Sequence, residues 1–266
     1  MIFIRRHRFT SRRTARPRQK KIGGQSSAGG AAGIVVPIFM VLSLLPAACS
    51  SQGELLSQAD ADARYLALGD SYTIGESVEA DRRWPAILAR NLENRYPHSS
   101  ISVQYRARTG WTTGNLLSSL METPPENSYD AVSLLIGVNN QFQGLDFSTY
   151  RQDVPRLIAL ARNYSSEGNI FVLSIPDYSY TPYGGMLSPG DRERISREID
   201  EYNSWMEEYC RQQGIPFVNI TPITRQAIDN PDLVADDGLH PSAQAYRLFA
   251  EEIIRQIDIQ ALLDLE

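Results

Sequence analysis

The sequence predicts an α/β fold, a three-layer α/β/α sandwich with a central parallel sheet of about five strands. Two observations carry this expectation. Short apolar runs recur at 64–68, 101–106, 131–137, 169–175 and 215–220, brief enough for strands and apolar enough to be covered on both faces. Longer stretches with helical spacing lie between and after them, at 84–96, 113–121, 148–164, 191–213 and 241–263. Strand and helix alternate throughout, which calls for parallel strands joined by crossover helices, with ligands at the carboxyl ends of the strands.

Taken in order, the elements carry their own boundaries. The first strand runs into Leu68-Gly69-Asp70-Ser71-Tyr72, and the helix that starts at Trp84 ends where Pro97 follows Tyr96. The second strand leads to Thr109-Gly110-Trp111 and the third to Gly137-Val138-Asn139-Asn140. The fourth strand is followed by the longest irregular segment, 176–190, which holds Tyr178, Tyr180, Tyr183, Gly184, Gly185 and Met186. That segment either lines one side of a site or is an ordinary surface excursion. The last helix follows Asp237-Gly238-Leu239-His240, with Pro241 at a favoured first-turn position.

Ser71 and His240 make the strongest chemical statement. A serine hydroxyl is a poor nucleophile at neutral pH unless a base takes its proton during attack, and neutral imidazole suits that task. Asp237, three residues before His240 on the same loop, can accept from the other ring nitrogen and fix the tautomer. The chain has three histidines. His7 lies in a leader, and His98 has no acidic neighbour in sequence, so it reads as an ordinary surface or core residue.

At these positions the chain resembles the SGNH or GDSL hydrolases. Gly69-Asp70-Ser71 is similar to the nucleophile block, with Tyr72 where the family pattern has leucine. Gly110, Asn139 and Asp237-Gly238-Leu239-His240-Pro241 resemble the second, third and final blocks, in family order. The resemblance implies an SGNH-hydrolase-like, flavodoxin-like domain over 64–266, a Ser71, Asp237 and His240 triad, and no metal or organic cofactor. It implies three oxyanion donors: the backbone N–H groups of Ser71 and Gly110 and the side-chain amide of Asn139. Gly110 also reads as a turn glycine, and Asn139 as a cap or turn residue after a strand. Tyr72, Trp111, Asn140 and Tyr178 are candidate substrate contacts. Asn140 stands where the family often has aspartate, so this loop must bond itself in another way.

Residues 1–49 read as an export signal. The first thirty carry nine Arg and Lys and no acidic residue, and an apolar stretch of 15 residues follows from Ala31 to Leu45. That stretch is too short for a comfortable membrane span. Cys49, after Pro46-Ala47-Ala48, is similar to the lipidated cysteine of a bacterial lipoprotein signal, although Pro46 stands where such signals usually have leucine. Residues 50–63 read as a short linker. Beyond the leader 17 basic residues face 31 acidic ones, a surface that repels nucleic acid. Cys210 would be the only other cysteine, placed in a helix as a packing residue.

The expectation is an exported serine ester hydrolase acting on a small-molecule, lipid or carbohydrate ester, held at a membrane through an N-terminal lipid anchor. A thioesterase or lysophospholipase would use the same groups. A cell-envelope binding protein on the same fold, without turnover, is the reading from a different class.

Overall fold

The computed structural model describes residues 61–125 and 128–265. The expected export signal and Cys49, and most of the expected linker, lie outside the described residues. The first half of the chain supplies β1 (Ala63–Gly69), α1 (Ser71–Ile74), α2 (Trp84–Arg95), β2 (Ile101–Ala107), α3 (Thr113–Glu122), β3 (Ala131–Leu135) and α4 (Val138–Phe142). There follow α5 (Phe147–Tyr164), β4 (Ile170–Leu173), α6 (Pro182–Gly185), α7 (Pro189–Gln213), β5 (Phe217–Val218), α8 (Thr221–Arg225), α9 (Ala243–Gln256) and α10 (Ile259–Leu263).

Among the described residues all strand pairs are parallel, in the order β2-β1-β3-β4-β5. The inner strands β3 and β4 are buried at every position, because helices cover both faces. Edge strand β2 buries only Ile101 and alternates Gln104 and Arg106 with apolar residues. On one face α3 packs against α5, and Tyr150 of α5 lies against Tyr202 of α7 with ring centroids 4.6 Å apart. On the other face α2 packs against α9, and α10 reaches β1. Cys210 is fully buried in α7, and burial pushes its thiol up to about 12, so it stays a neutral packing group. Among the described residues no helix is long and apolar enough to cross a membrane.

This sheet order reverses direction between β1 and β3, the place where an open parallel sheet leaves a crevice at its carboxyl edge. Two expectations need correction. Residues 241–263 form two helices, not one, because Ile257 is extended and the Asp258 carboxylate caps a new helix by accepting from Ala261 N–H at 3.2 Å. Pro241 is outside the helix: it bridges Val234, and Ser242 caps α9 by accepting from the N–H groups of Gln244 and Ala245.

Candidate active site

Ser71 is the first residue of α1, directly beyond the crevice end of β1. A Cβ on Gly69 would lie 2.5 Å from the Leu135 carbonyl, so glycine is what lets the chain turn here against β3. Asp70 caps the short helix, its Oδ1 accepting from Tyr72 N–H at 3.0 Å. Ser71 is only 3% exposed. Its hydroxyl makes no hydrogen bond among the described residues.

Gly110 ends the β2 loop with φ +80°, and its N–H is unpaired among the described residues. Gln143, just after α4, donates to the Gly110 carbonyl at 3.2 Å. Asn139 is the second residue of α4, and its Nδ2 donates to the Trp111 carbonyl at 3.0 Å and to Asp70 Oδ2 at 3.4 Å. The Asn139 side chain therefore joins the loops after β1, β2 and β3. Trp111 stays half-exposed beside them.

The third wall is the loop before α9. Bonds from Ala235 N–H to the His240 carbonyl, 2.8 Å, and from Gly238 N–H to the Ala235 carbonyl, 2.9 Å, close it into a turn. Within that turn His240 Nδ1 sits 2.6 Å from Asp237 Oδ2, while Asp237 Oδ1 accepts from the N–H groups of Leu239 and His240, each at 2.9 Å. Burial alone would raise the Asp237 carboxyl. Hydrogen bonds from Ser77, from His240 and from the two backbone N–H groups outweigh it and hold the group well below the usual carboxylate range. The His240 ring lies 5.3 Å from that of Tyr72, the residue after Ser71, so the loop before α9 meets the segment after β1 here. His98 is far from this geometry in role, an exposed turn residue after α2.

Two of the expected substrate contacts, Asn140 and Tyr178, are buried and hydrogen-bonded to neighbouring elements. Asn140 is fully buried, its Oδ1 accepting from Thr113 N–H at 2.9 Å and its Nδ2 donating to Thr113 Oγ1 at 2.7 Å. That pair answers how the loop bonds itself without aspartate. Tyr178 is buried too, donating its hydroxyl to Gln141 Oε1 at 2.8 Å. Tyr72 is 4% exposed and offers the ring that supports His240. The 176–190 segment braces the site: Tyr183 N–H donates to the Gly238 carbonyl at 2.9 Å. Buried Asp177 anchors the segment, accepting from Arg225 Nε at 2.9 Å and from Ser196 Oγ at 2.7 Å. Among the described residues no three His, Cys, Asp or Glu side chains gather as metal ligands.

The sequence profile of the GDSL-like lipase/acylhydrolase family matches residues 67–248, well over half of the chain. The chain belongs to this family. Membership in the GDSL-like family makes it an ester hydrolase in class. An arylesterase of Vibrio mimicus is 24% identical over 203 residues, which cover 76% of this chain and 92% of that protein. A multidomain esterase of Ruminococcus flavefaciens is 27% identical over 252 residues, 82% of this chain but 30% of the longer protein. Among solved structures, a G-D-S-L lipolytic protein from Veillonella parvula superposes with TM-score 0.58 at 18% identity, over 72% of this chain and 96% of that one. An acetylxylan esterase from Geobacillus stearothermophilus gives 0.56 at 20% identity, over 74% and 94%. These likenesses agree with the three-layer fold.

The GDSL aspartate itself, Asp70, has an electrostatic cost. It is fully buried, and burial raises its carboxyl from 3.8 to about 7 despite the bonds from Tyr72 and Asn139. The folded state thus holds this proton more tightly than the unfolded chain does. The associated stability is complete below about pH 4 and is lost as pH rises through about 7. Asp70→Asn keeps the capping oxygen and removes the ionisation. In urea unfolding at pH 5 and pH 8, the variant should gain on the wild type with rising pH, by roughly 2–3 kcal/mol over that interval. A gap independent of pH would contradict this account of Asp70.

Proposed function

We propose that this GDSL-family protein hydrolyses carboxylic esters through a covalent acyl intermediate on Ser71. His240 Nε2 takes the Ser71 proton as Oγ attacks the acyl carbonyl carbon, and His240 then passes that proton to the leaving alcohol oxygen. Water, deprotonated by the same imidazole, attacks the acyl group and releases the acid. Asp237 holds the ring with its proton on Nδ1, which leaves the Nε2 lone pair free to act as base. The observation that carries this reading is the 2.6 Å contact between Asp237 Oδ2 and His240 Nδ1, on a loop whose His240 ring packs against Tyr72, next to Ser71. The resting Ser71 hydroxyl is not yet bonded to His240, as is common before substrate binds.

Three donors would face the developing oxyanion: the N–H of Ser71, the N–H of Gly110 and Asn139 Nδ2. The long 3.4 Å contact from Asn139 to Asp70 is the one an oxyanion would replace, while the bond to Trp111 holds the amide in place. Because Ser71 is nearly enclosed, slender acyl groups such as acetyl should react fastest. Asn139→Ala should lower kcat for nitrophenyl acetate by roughly 10²–10³ with little change in KM, and Asn139→Asp should do worse by placing charge beside the oxyanion. Turnover equal to wild type in both would remove Asn139 from the oxyanion site. Faster cleavage of thioesters or lysophospholipids would favour those substrates, and a wild type inert to every ester would favour a binding protein. Export with a lipid on Cys49 completes the proposal, and the mass of the processed N-terminus tests it.

A further inference from the structure

Asp237 receives four hydrogen bonds, and three of them come from its own turn: the N–H groups of Leu239 and His240 and the His240 ring. The fourth comes from Ser77, 160 residues away in sequence, whose Oγ–H donates to Oδ2 at 2.6 Å. Ser77 lies just past α1, the helix that begins with Ser71. It is thus a direct hydrogen bond between the nucleophile's segment and the carboxylate of the histidine's turn.

The backbone of Ser77 is as unusual as its contact. Its φ is +65°, a left-handed conformation that a residue with a Cβ adopts only at a cost. Among the described residues the one other non-glycine case is Asp264, which ends the last helix. Glycine would fit the Ser77 backbone without strain, as it does two positions earlier at Gly75, where φ is +68°. Serine at this point adds one thing glycine lacks, the hydroxyl that reaches Asp237. Its bond is also the largest of the interactions that hold the Asp237 carboxyl low.

Resting on the triad reading above, we propose that Ser77 is a positioning residue for catalysis: it ties the turn of Asp237 and His240 to the helix of Ser71 and so sets the distance between base and nucleophile. Carboxylate Oδ2 takes both the Ser77 hydroxyl and the imidazole N–H, which share its charge. Removing Ser77 therefore has two consequences. The turn is freed from α1, and the imidazolium keeps more of the carboxylate to itself. Other charged groups line the same surface groove: Glu79 and Arg82 before α2, Asp232 and Asp236 before α9, and Arg247 of α9. None of these hydrogen-bonds Asp237 among the described residues, so they form a background common to wild type and variants.

The test compares wild type with Ser77→Gly and Ser77→Ala, using nitrophenyl acetate across pH and thermal unfolding in parallel. Ser77→Gly relieves the left-handed strain, which offsets the lost hydrogen bond, so its melting temperature should stay near that of wild type. Its kcat should nonetheless fall about tenfold with KM little changed, the loss expected for one hydrogen bond to a charged group. Ser77→Ala should show the same kinetic changes while retaining the Cβ, which separates loss of the hydroxyl from loosening of the loop. Wild-type kcat in both variants, or a loss confined to KM, with wild type active, would overturn the role of Ser77 alone. An inactive wild type would overturn it together with the triad reading.

Discussion

Asp237→Asn should lower kcat for a nitrophenyl ester by about 10⁴ while the protein stays folded. The carboxylate accepts on both oxygens and donates nothing: Oδ1 faces two backbone N–H groups and Oδ2 faces the His240 ring N–H and the Ser77 hydroxyl. An amide satisfies only half of that arrangement. With its NH₂ toward His240, it confronts the ring N–H and drives the proton to Nε2, so the base loses the lone pair that would receive the Ser71 proton. With its NH₂ toward the turn, it confronts the N–H groups of Leu239 and His240 and loosens the loop. Neither orientation preserves both the tautomer and the turn. The side chain is 29% exposed, so the fold should tolerate the change, and circular dichroism verifies that. Near wild-type turnover would show that Asp237 does not set the His240 tautomer.

Ser71→Ala should have the largest effect, a loss of kcat on the order of 10⁶, because nucleophile and base act as a unit. Its structural cost should be small. The Ser71 hydroxyl bonds nothing among the described residues, so deleting it strands no buried partner there. The oxyanion donors remain, and weak binding of substrate should persist with KM little altered. Substantial hydrolysis by Ser71→Ala, measured on folded protein, would place the nucleophile elsewhere.

The contrast between what was legible in the sequence and what was not has physical causes. The strand runs and long helices announced themselves through apolar period, and β1, β3 and β4 lie where the short, mostly apolar runs predict. The last strand shrinks to Phe217–Val218 because apolar residues at 215 and 220 are buried as loop. Periodicity could not see α1 and α4, of four and five residues, although they carry Ser71 and Asn139. It also ran α9 into α10, since one extended residue at Ile257 leaves the apolar spacing intact. At the site, Ser71, Asp237 and His240 could be singled out because nucleophile, base and acceptor are recognisable types at recognisable spacing. The partners of Asn140 and Tyr178, Thr113 and Gln141, could not be read from the sequence, because they lie 27 and 37 residues away. Ser77 had no local signal, since its partner lies 160 residues on and its left-handed backbone is invisible in a string of letters.

Labelling with a fluorophosphonate tests the central claim most directly, because the probe reacts only with a serine whose proton is taken as it attacks. Intact mass and peptide mapping should find one adduct, on Ser71, formed rapidly in wild type, absent in Ser71→Ala and greatly slowed in His240→Ala, with His98→Ala unaffected. An adduct on another serine, or unchanged labelling in Ser71→Ala, would contradict the assignment of Ser71 and His240 as nucleophile and base.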